Sequence, residues 1–401
     1  MSKHGKNELI IAAAGAGKTS YIIALALADP SKKILITTYT RSNASEIRER
    51  LIVENKRQTG IGSVPKNILI EEWFTFLLKH GVRPFKVAAD NGLKYVSIGF
   101  NLSENRSGVK RRYKNIEGEE VVIYWGEDEN VQRYYFTKSY KIYSDKISKF
   151  VLKCEDLTQG GFTERINNNY DHIFIDEVQD LAGWDLEVIK LLFRSDSEIL
   201  LVGDPRQTVY LTNHSSKNDK YKDGKIDLYV KDNCSKLEVN IDFETLNKTH
   251  RNKEEIASFA SKLYPEYPET EVCSCDEHRG SKVEKEGVYL IRPSDIERCL
   301  SEVPSDSFKT IRFRNSIPPE INVGVSKGKT YQRVLIYPTV KIISWIKGND
   351  QLAQSTRAKF YVALTRSVHS SFIVYDYKDD EEFMDGIKLF DAVRLQAKLP
   401  F

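Results

Sequence analysis

Residues 12–19, Ala-Ala-Ala-Gly-Ala-Gly-Lys-Thr, have the make-up of a loop that grips phosphate. Gly15 and Gly17 let successive backbone N–H groups turn inward as an anion nest, Lys18 can reach the outer phosphates, and the Thr19 hydroxyl suits a magnesium ion. Ala14, Ala16 and Ser20 complete the stretch assigned to the nucleotide, and Ala12 stands where the strict pattern has glycine. A second group lies at 170–180, Tyr-Asp-His-Ile-Phe-Ile-Asp-Glu-Val-Gln-Asp, an apolar run that ends in carboxylates. Asp176 can share the magnesium shell with Thr19, and Glu177 can polarise an attacking water; a plain helix cap uses the same residue types. A third group, Gly-Asp-Pro-Arg-Gln at 203–207, sets Gln207 where it can sense a terminal phosphate. Together these residues imply use and hydrolysis of a nucleoside triphosphate, with ATP and Mg²⁺ as the expected cofactors.

Such groups need a scaffold that delivers them to one place. In a doubly wound sheet, ligands collect at the carboxyl ends of parallel strands. Apolar runs at 9–13, 34–37, 173–175 and 199–202 predict those strands, with helical segments between them. The phosphate loop would feed a helix over 20–28, whose N-terminus favours an anion. A polar, aromatic block at 85–159 interrupts the alternation and reads as an inserted subdomain on a first lobe made of 1–84 and 160–241. A second lobe, 242–401, has strands predicted at 287–291, 333–337 and 371–375 and helices at 253–263, 294–300 and 354–363, the last without an evident cap. The predicted fold class is α/β, two lobes of parallel sheet flanked by helices.

The motif set resembles that of superfamily 1 helicases, and the UvrD/Rep group in particular. The resemblance is carried by Asp-Glu-Val-Gln-Asp at 176–180, Gly-Asp-Pro-Arg-Gln at 203–207 and Tyr-Val-Ala-Leu-Thr-Arg at 361–366. Thr37-Thr38-Tyr39-Thr40-Arg41 is similar to the group's first single-strand-contacting motif, and Glu72-Trp73-Phe74-Thr75 to the next. Residues 246–251 resemble the motif that opens the second lobe, and Ser326-Lys327-Gly328 the fifth motif. The resemblance implies two RecA-like P-loop NTPase lobes and 3′ to 5′ movement on single-stranded DNA fuelled by Mg·ATP. It also implies a DNA path touching Thr38, Tyr39, Arg41, Trp73, Phe74, Tyr210, Ser326 and Lys327. Positive charge must meet the charge that develops on a transferred phosphoryl group, and Arg251 and Arg366 are the expected arginine fingers. Only about 75 residues separate Arg251 from Ser326, too few for the large accessory domain that the UvrD group carries there. An alternative reading is therefore an ATP-gated switch inside a DNA-repair or antiviral-defence complex, with a nuclease or similar subunit as partner.

Composition fits a multi-lobe enzyme of 401 residues. A net charge of +3 makes no case for nucleic acid by itself, but cations and aromatics interleave at Arg111-Arg112-Tyr113-Lys114 and Arg133-Tyr134-Tyr135-Phe136. Such a pattern serves a strand-binding face or simply packs the body. No run of about 18 apolar residues and no signal-like N-terminus occurs, so a cytoplasmic location is expected, without a membrane. The cysteines, Cys154, Cys234, Cys273, Cys275 and Cys299, form no disulfide framework. Cys273-Ser-Cys275 near His278 lacks a second paired half, and inert thiols are the expected reading.

Overall fold

The computed structural model describes residues 6–103, 106–209, 215–275, 283–302 and 308–390. The chain separates into two compact units. The first comprises Met1–Ile10, Lys18–Gly203 and Leu211–Asp242; the second comprises Ile11–Gly17, Asp204–Tyr210 and Phe243–Phe401.

The first unit is built on a six-stranded parallel sheet in the order Val239–Asp242, Asn7–Ile11, Glu198–Gly203, His172–Asp176, Ile34–Thr38, Ile68–Glu72. Its central strands are near-continuous runs of Ile, Leu, Val and Phe, as a sheet covered on both faces requires. Leu9, Ile10, Leu35, Ile36, Ile173 and Leu201 are all fully buried. At their carboxyl ends the strands deliver Ala12, Tyr39, Trp73, Glu177 and Asp204 in turn. Helix Lys18–Ala28 starts directly on the phosphate-loop lysine. Helix Arg41–Thr59 begins where the Thr40 hydroxyl accepts from the Asn43 N–H (3.1 Å), a cap worth about 1 kcal/mol, and stops at left-handed Gly60.

The block from Lys86 to Tyr143 carries short helices and two small sheets. Gly99–Asn101 pairs in parallel with Lys141–Tyr143, and Val109–Lys114 forms an antiparallel hairpin with Glu120–Tyr124. The hairpin turn is fixed by Asn115, whose side-chain oxygen accepts from the N–H groups of Glu117 and Glu119, and by Gly118 at φ 83°. The aromatic–cation pattern divides here. Tyr135 and Phe136 are core residues against Phe150, whereas Arg111, Arg112 and Tyr113 stand exposed on the hairpin. Lys146 is buried with its ammonium over the Tyr134 ring (3.8 Å) and bonded to the Ser107 and Tyr134 carbonyls; burial pulls its pKa down to about 8.

The second unit has its own six-stranded parallel sheet, ordered Ile321–Asn322, Phe308–Arg312, Tyr331–Tyr337, Ser367–Val374, Gly287–Ile291, Ile387–Leu389. Alternation sorts its side chains: Val288, Leu290, Val334 and Ile336 join Ile256, Phe259 and Phe360 in one core, while Tyr289, Ile291, Leu335 and Phe372 form another. The fold class expected from sequence, α/β with two parallel sheets flanked by helices, is the one found. Among the described residues no helix is long and apolar enough to cross a membrane.

Candidate nucleotide site

The phosphate loop has the backbone its sequence demands. Gly15 (φ 75°) and Gly17 (φ 78°) are left-handed, the conformation that side chains resist. Gly15 is also crowded: a Cβ there would stand 2.7 Å from the Arg251 Cβ and 2.9 Å from the Thr249 Oγ1. Ala12 is not one of the left-handed positions, so a methyl group there costs no strain; its carbonyl accepts from an Arg206 Nη (2.9 Å). Ala14 and Ala16 are buried and Ser20 is exposed on the following helix. The Ala13 N–H donates to the Leu246 carbonyl (2.7 Å) and the His250 N–H to the Gly15 carbonyl (2.9 Å), which ties residues 13–15 to the segment before Arg251.

Four residues of the first unit converge at the start of the loop helix. Lys18 Nζ lies 3.8 Å from a Glu177 carboxylate oxygen, and the Thr19 hydroxyl donates to Asp176 over 3.5 Å. Glu177 has φ 55°, a strained left-handed backbone for a residue with a side chain, and its N–H donates to Asp176 (2.9 Å). The side chain of fully buried Gln179 donates to the Glu177 carboxylate, which fixes its orientation. Burial, then the neighbouring Glu177 charge, push the Asp176 carboxyl up to about 7. A hydroxyl and a buried carboxylate side by side, with a second carboxylate next to them, form a donor set suited to a hard divalent cation. The left-handed glycines and Lys18 likewise suit a polyphosphate.

Within the second unit a buried polar chain links the expected sensor to an expected finger. Arg206 and Asp204 are both buried and joined by a 2.8 Å Nε–carboxylate contact. The other Asp204 oxygen accepts from the Gln207 side-chain amide (2.8 Å) and lies 3.4 Å from the Tyr361 hydroxyl. Gln207 in turn accepts from an Arg366 Nη (2.9 Å). Arg366 is 1% exposed and also donates to the Val362 and Lys329 carbonyls. Arg251 is half-buried and donates to the Thr365 carbonyl (3.2 Å), one residue from Arg366. Sequence reasoning passed over Arg206 and Asp204 as ion partners. The available signal was weak: opposite charges two residues apart directly after the apolar run at 199–202, since a buried Arg needs a carboxylate.

The expected strand-contacting residues fare unevenly. Trp73 is wholly buried: its indole N–H donates to Asp185 (3.0 Å), and its ring packs beside Phe76. Phe74 is buried between Tyr39 and Phe100, and Thr38 is buried at a strand end, so neither offers an open face. Ser326 is likewise enclosed, its hydroxyl donating to the Val323 carbonyl (2.6 Å). Tyr39 and Lys327 are half-exposed, and Arg41 is exposed near Glu72. Tyr210 lies outside the described residues.

Loop, carboxylates and parallel sheets define a P-loop nucleotide-binding protein of the α/β class. The AAA domain family model matches residues 2–213, more than half of the chain, and the chain belongs to that family, as a UvrD/Rep-like member of superfamily 1. It is similar to a probable DNA helicase II homolog of Mycoplasma capricolum subsp. capricolum, 25% identical over 288 residues that cover 63% of this chain and 38% of that protein. It is also similar to the RecBCD enzyme subunit RecB of Borreliella burgdorferi, 22% identical over 232 residues, 54% of this chain and 19% of that one. The chain thus spans less than half the length of these curated relatives. Among solved structures, an arterivirus nonstructural protein 10 (helicase) aligns over 93% of this chain and 60% of its own, with 13% identity and a TM-score of 0.44.

Proposed function

We propose that the protein is an ATP-dependent translocase or helicase on single-stranded DNA, moving 3′ to 5′ in the cytoplasm. The observation that carries this reading is the convergence of Lys18, Thr19, Asp176 and Glu177 at the end of a loop whose Gly15 and Gly17 are left-handed. Bound Mg·ATP would supply the scissile phosphoanhydride and the cation's charge. The glycine turn at Gly15 and Gly17 and the Lys18 ammonium would hold the phosphates, while Thr19 and Asp176 would hold the cation. Glu177, oriented by Gln179, accepts the proton of the attacking water. Gln207 and Arg366 act as one hydrogen-bonded unit, so a change in what Gln207 touches reaches Arg366 directly. Arg251 and Arg366 are assigned the charge-neutralising role, and Tyr39, Arg41 and Lys327 the strand contacts. Residues 1–84 with 160–241 and residues 242–401 are read as two motor lobes, with 85–159 as an accessory insertion.

The alternative is an ATP-gated switch that works with a nuclease or another repair or antiviral-defence subunit and does not unwind processively. The burial of Trp73, Phe74 and Ser326 favours it, since each removes a surface from the expected DNA path. ATPase assays without polymer and with single-stranded DNA, duplex DNA or RNA, followed by strand displacement, separate the two. DNA-stimulated turnover with unwinding supports the motor; turnover indifferent to polymer but responsive to a protein partner supports the switch. Lys18→Ala should abolish hydrolysis while leaving the circular dichroism spectrum unchanged, and normal turnover by that variant would remove the loop from the chemistry.

A further inference from the structure

We propose that His250, Cys273 and Cys275 form a binding site for a soft divalent cation of the zinc class. The three meet through a short parallel pairing. Lys248–Thr249 runs beside Glu271–Val272 with Thr249 opposite Val272, and the Cys273 N–H donates to the Thr249 carbonyl (3.0 Å). His250 and Cys273, each next in line, are therefore neighbours, and the single-residue spacer lets Cys275 share the face of Cys273. The two sulfur atoms are 2.7 Å apart, Cys275 Sγ lies 3.9 Å from His250 Nδ1, and all three ligand atoms fall within 4.8 Å of one another.

Zinc bonds of about 2.3 Å to sulfur and about 2.0 Å to nitrogen put tetrahedral ligand atoms roughly 3.5–3.8 Å apart. The Cys275 sulfur and the His250 nitrogen, 3.9 Å apart, need to close by about 0.4 Å. The sulfurs must part by about 1 Å to meet the same geometry, which the exposed Cys275 side chain can do by turning. Two thiolates and an imidazole select a borderline-soft ion over magnesium or calcium. Cys273 is buried while Cys275 and His250 are exposed, and among the described residues the set numbers three, the pattern of a site that keeps one coordination position open. The His250 N–H holds the Gly15 carbonyl, and the His250 Cδ2 lies 3.9 Å from where a Cβ on Gly17 would stand. An ion here pins the imidazole against the glycine turn. The site requires no nucleotide and is tested without one.

Cobalt(II) is the probe. Added to the reduced full-length chain, it should bind at one equivalent, with tetrahedral d–d bands, a sulfur-to-cobalt charge-transfer band, and loss of both on adding zinc. Cys275→Ser should weaken cobalt binding by more than the roughly 10–100-fold that outer-shell changes cost, and should halve the charge-transfer intensity. His250→Gln should weaken binding comparably while retaining that band. Circular dichroism and a thermal melt show that each variant is folded. Absence of cobalt absorption, or unchanged binding in folded Cys275→Ser, overturns the site.

Discussion

Replacing Arg206 by Met should unsettle the second unit more than most single changes. Asp204 is fully buried, and its carboxylate accepts the Arg206 Nε at 2.8 Å. The guanidinium further binds the Ala12 carbonyl at 2.9 Å and the Thr270 hydroxyl at 3.3 Å, and stands over the Tyr361 ring. Methionine fills much of the volume but deprives a desolvated carboxylate of its cation, a loss of roughly 3–5 kcal/mol for buried pairs. At about 2–4 °C per kcal/mol for a unit of this size, the melting temperature should fall by roughly 6–20 °C. Trp345, packed between Phe259 and Phe360, is a fluorescence reporter within this unit. The double variant Asp204→Asn/Arg206→Met, which removes both charges, should recover most of the loss, because a buried pair contributes little net stability over a neutral replacement. A loss below about 1 kcal/mol in the single variant, or no recovery in the double one, refutes the buried-pair account.

Glu177→Gln should bind nucleotide as tightly as the parent yet hydrolyse it about 10²–10⁴-fold more slowly, the usual contribution of a general base, measured by equilibrium binding beside steady-state turnover. Gly15→Ala should cost roughly 1–3 kcal/mol in backbone strain and weaken nucleotide binding, since its Cβ meets Arg251 and Thr249; a chemical denaturation curve matching the parent's would contradict this. Buried His80 accepts or donates a hydrogen bond to the Tyr170 hydroxyl (3.0 Å), and burial lowers its pKa to about 4. The unfolded chain takes up that proton near pH 6.5 and the folded one only near 4, so this contribution is whole above about pH 6.5. It is lost as pH falls toward 4, about 3 kcal/mol in all. Denaturation curves for His80→Gln should lack that acid limb. Identical limbs would mean that Glu71, whose Oε2 is 3.9 Å away, receives the imidazolium.

What the sequence revealed and what it hid have physical causes. Runs such as Ile34–Thr38 and Gly287–Ile291 announce buried parallel strands because few other structures bury five consecutive apolar or β-branched residues. The first strand ends at Ile11, two residues short of the expected end, because the loop's backbone takes over at Ala12. The phosphate loop was legible because its glycines are dictated by φ. The burial of Trp73 was not legible because a motif gives position along the chain and not the direction of a side chain. Its partner Asp185 is 112 residues away, on a helix whose register no local pattern records. The same limit hid His250 from Cys273: parallel pairing of two-residue strands leaves no periodic trace, and the cysteine spacing directed attention to His278, which lies outside the described residues. The Asp204–Arg206 contact hid behind proximity, two charged residues in one turn that read equally well as solvent-facing.

The backbone of Glu177 carries a lesson for anyone who would engineer this chain. Holding a side-chain-bearing residue at φ 55° costs about 1–2 kcal/mol that glycine would not incur. A directed-evolution campaign scored on heat tolerance alone would therefore be drawn to glycine at this position, and would enrich robust molecules stripped of the carboxylate beside Lys18. Screens on this scaffold should select for turnover and survival together.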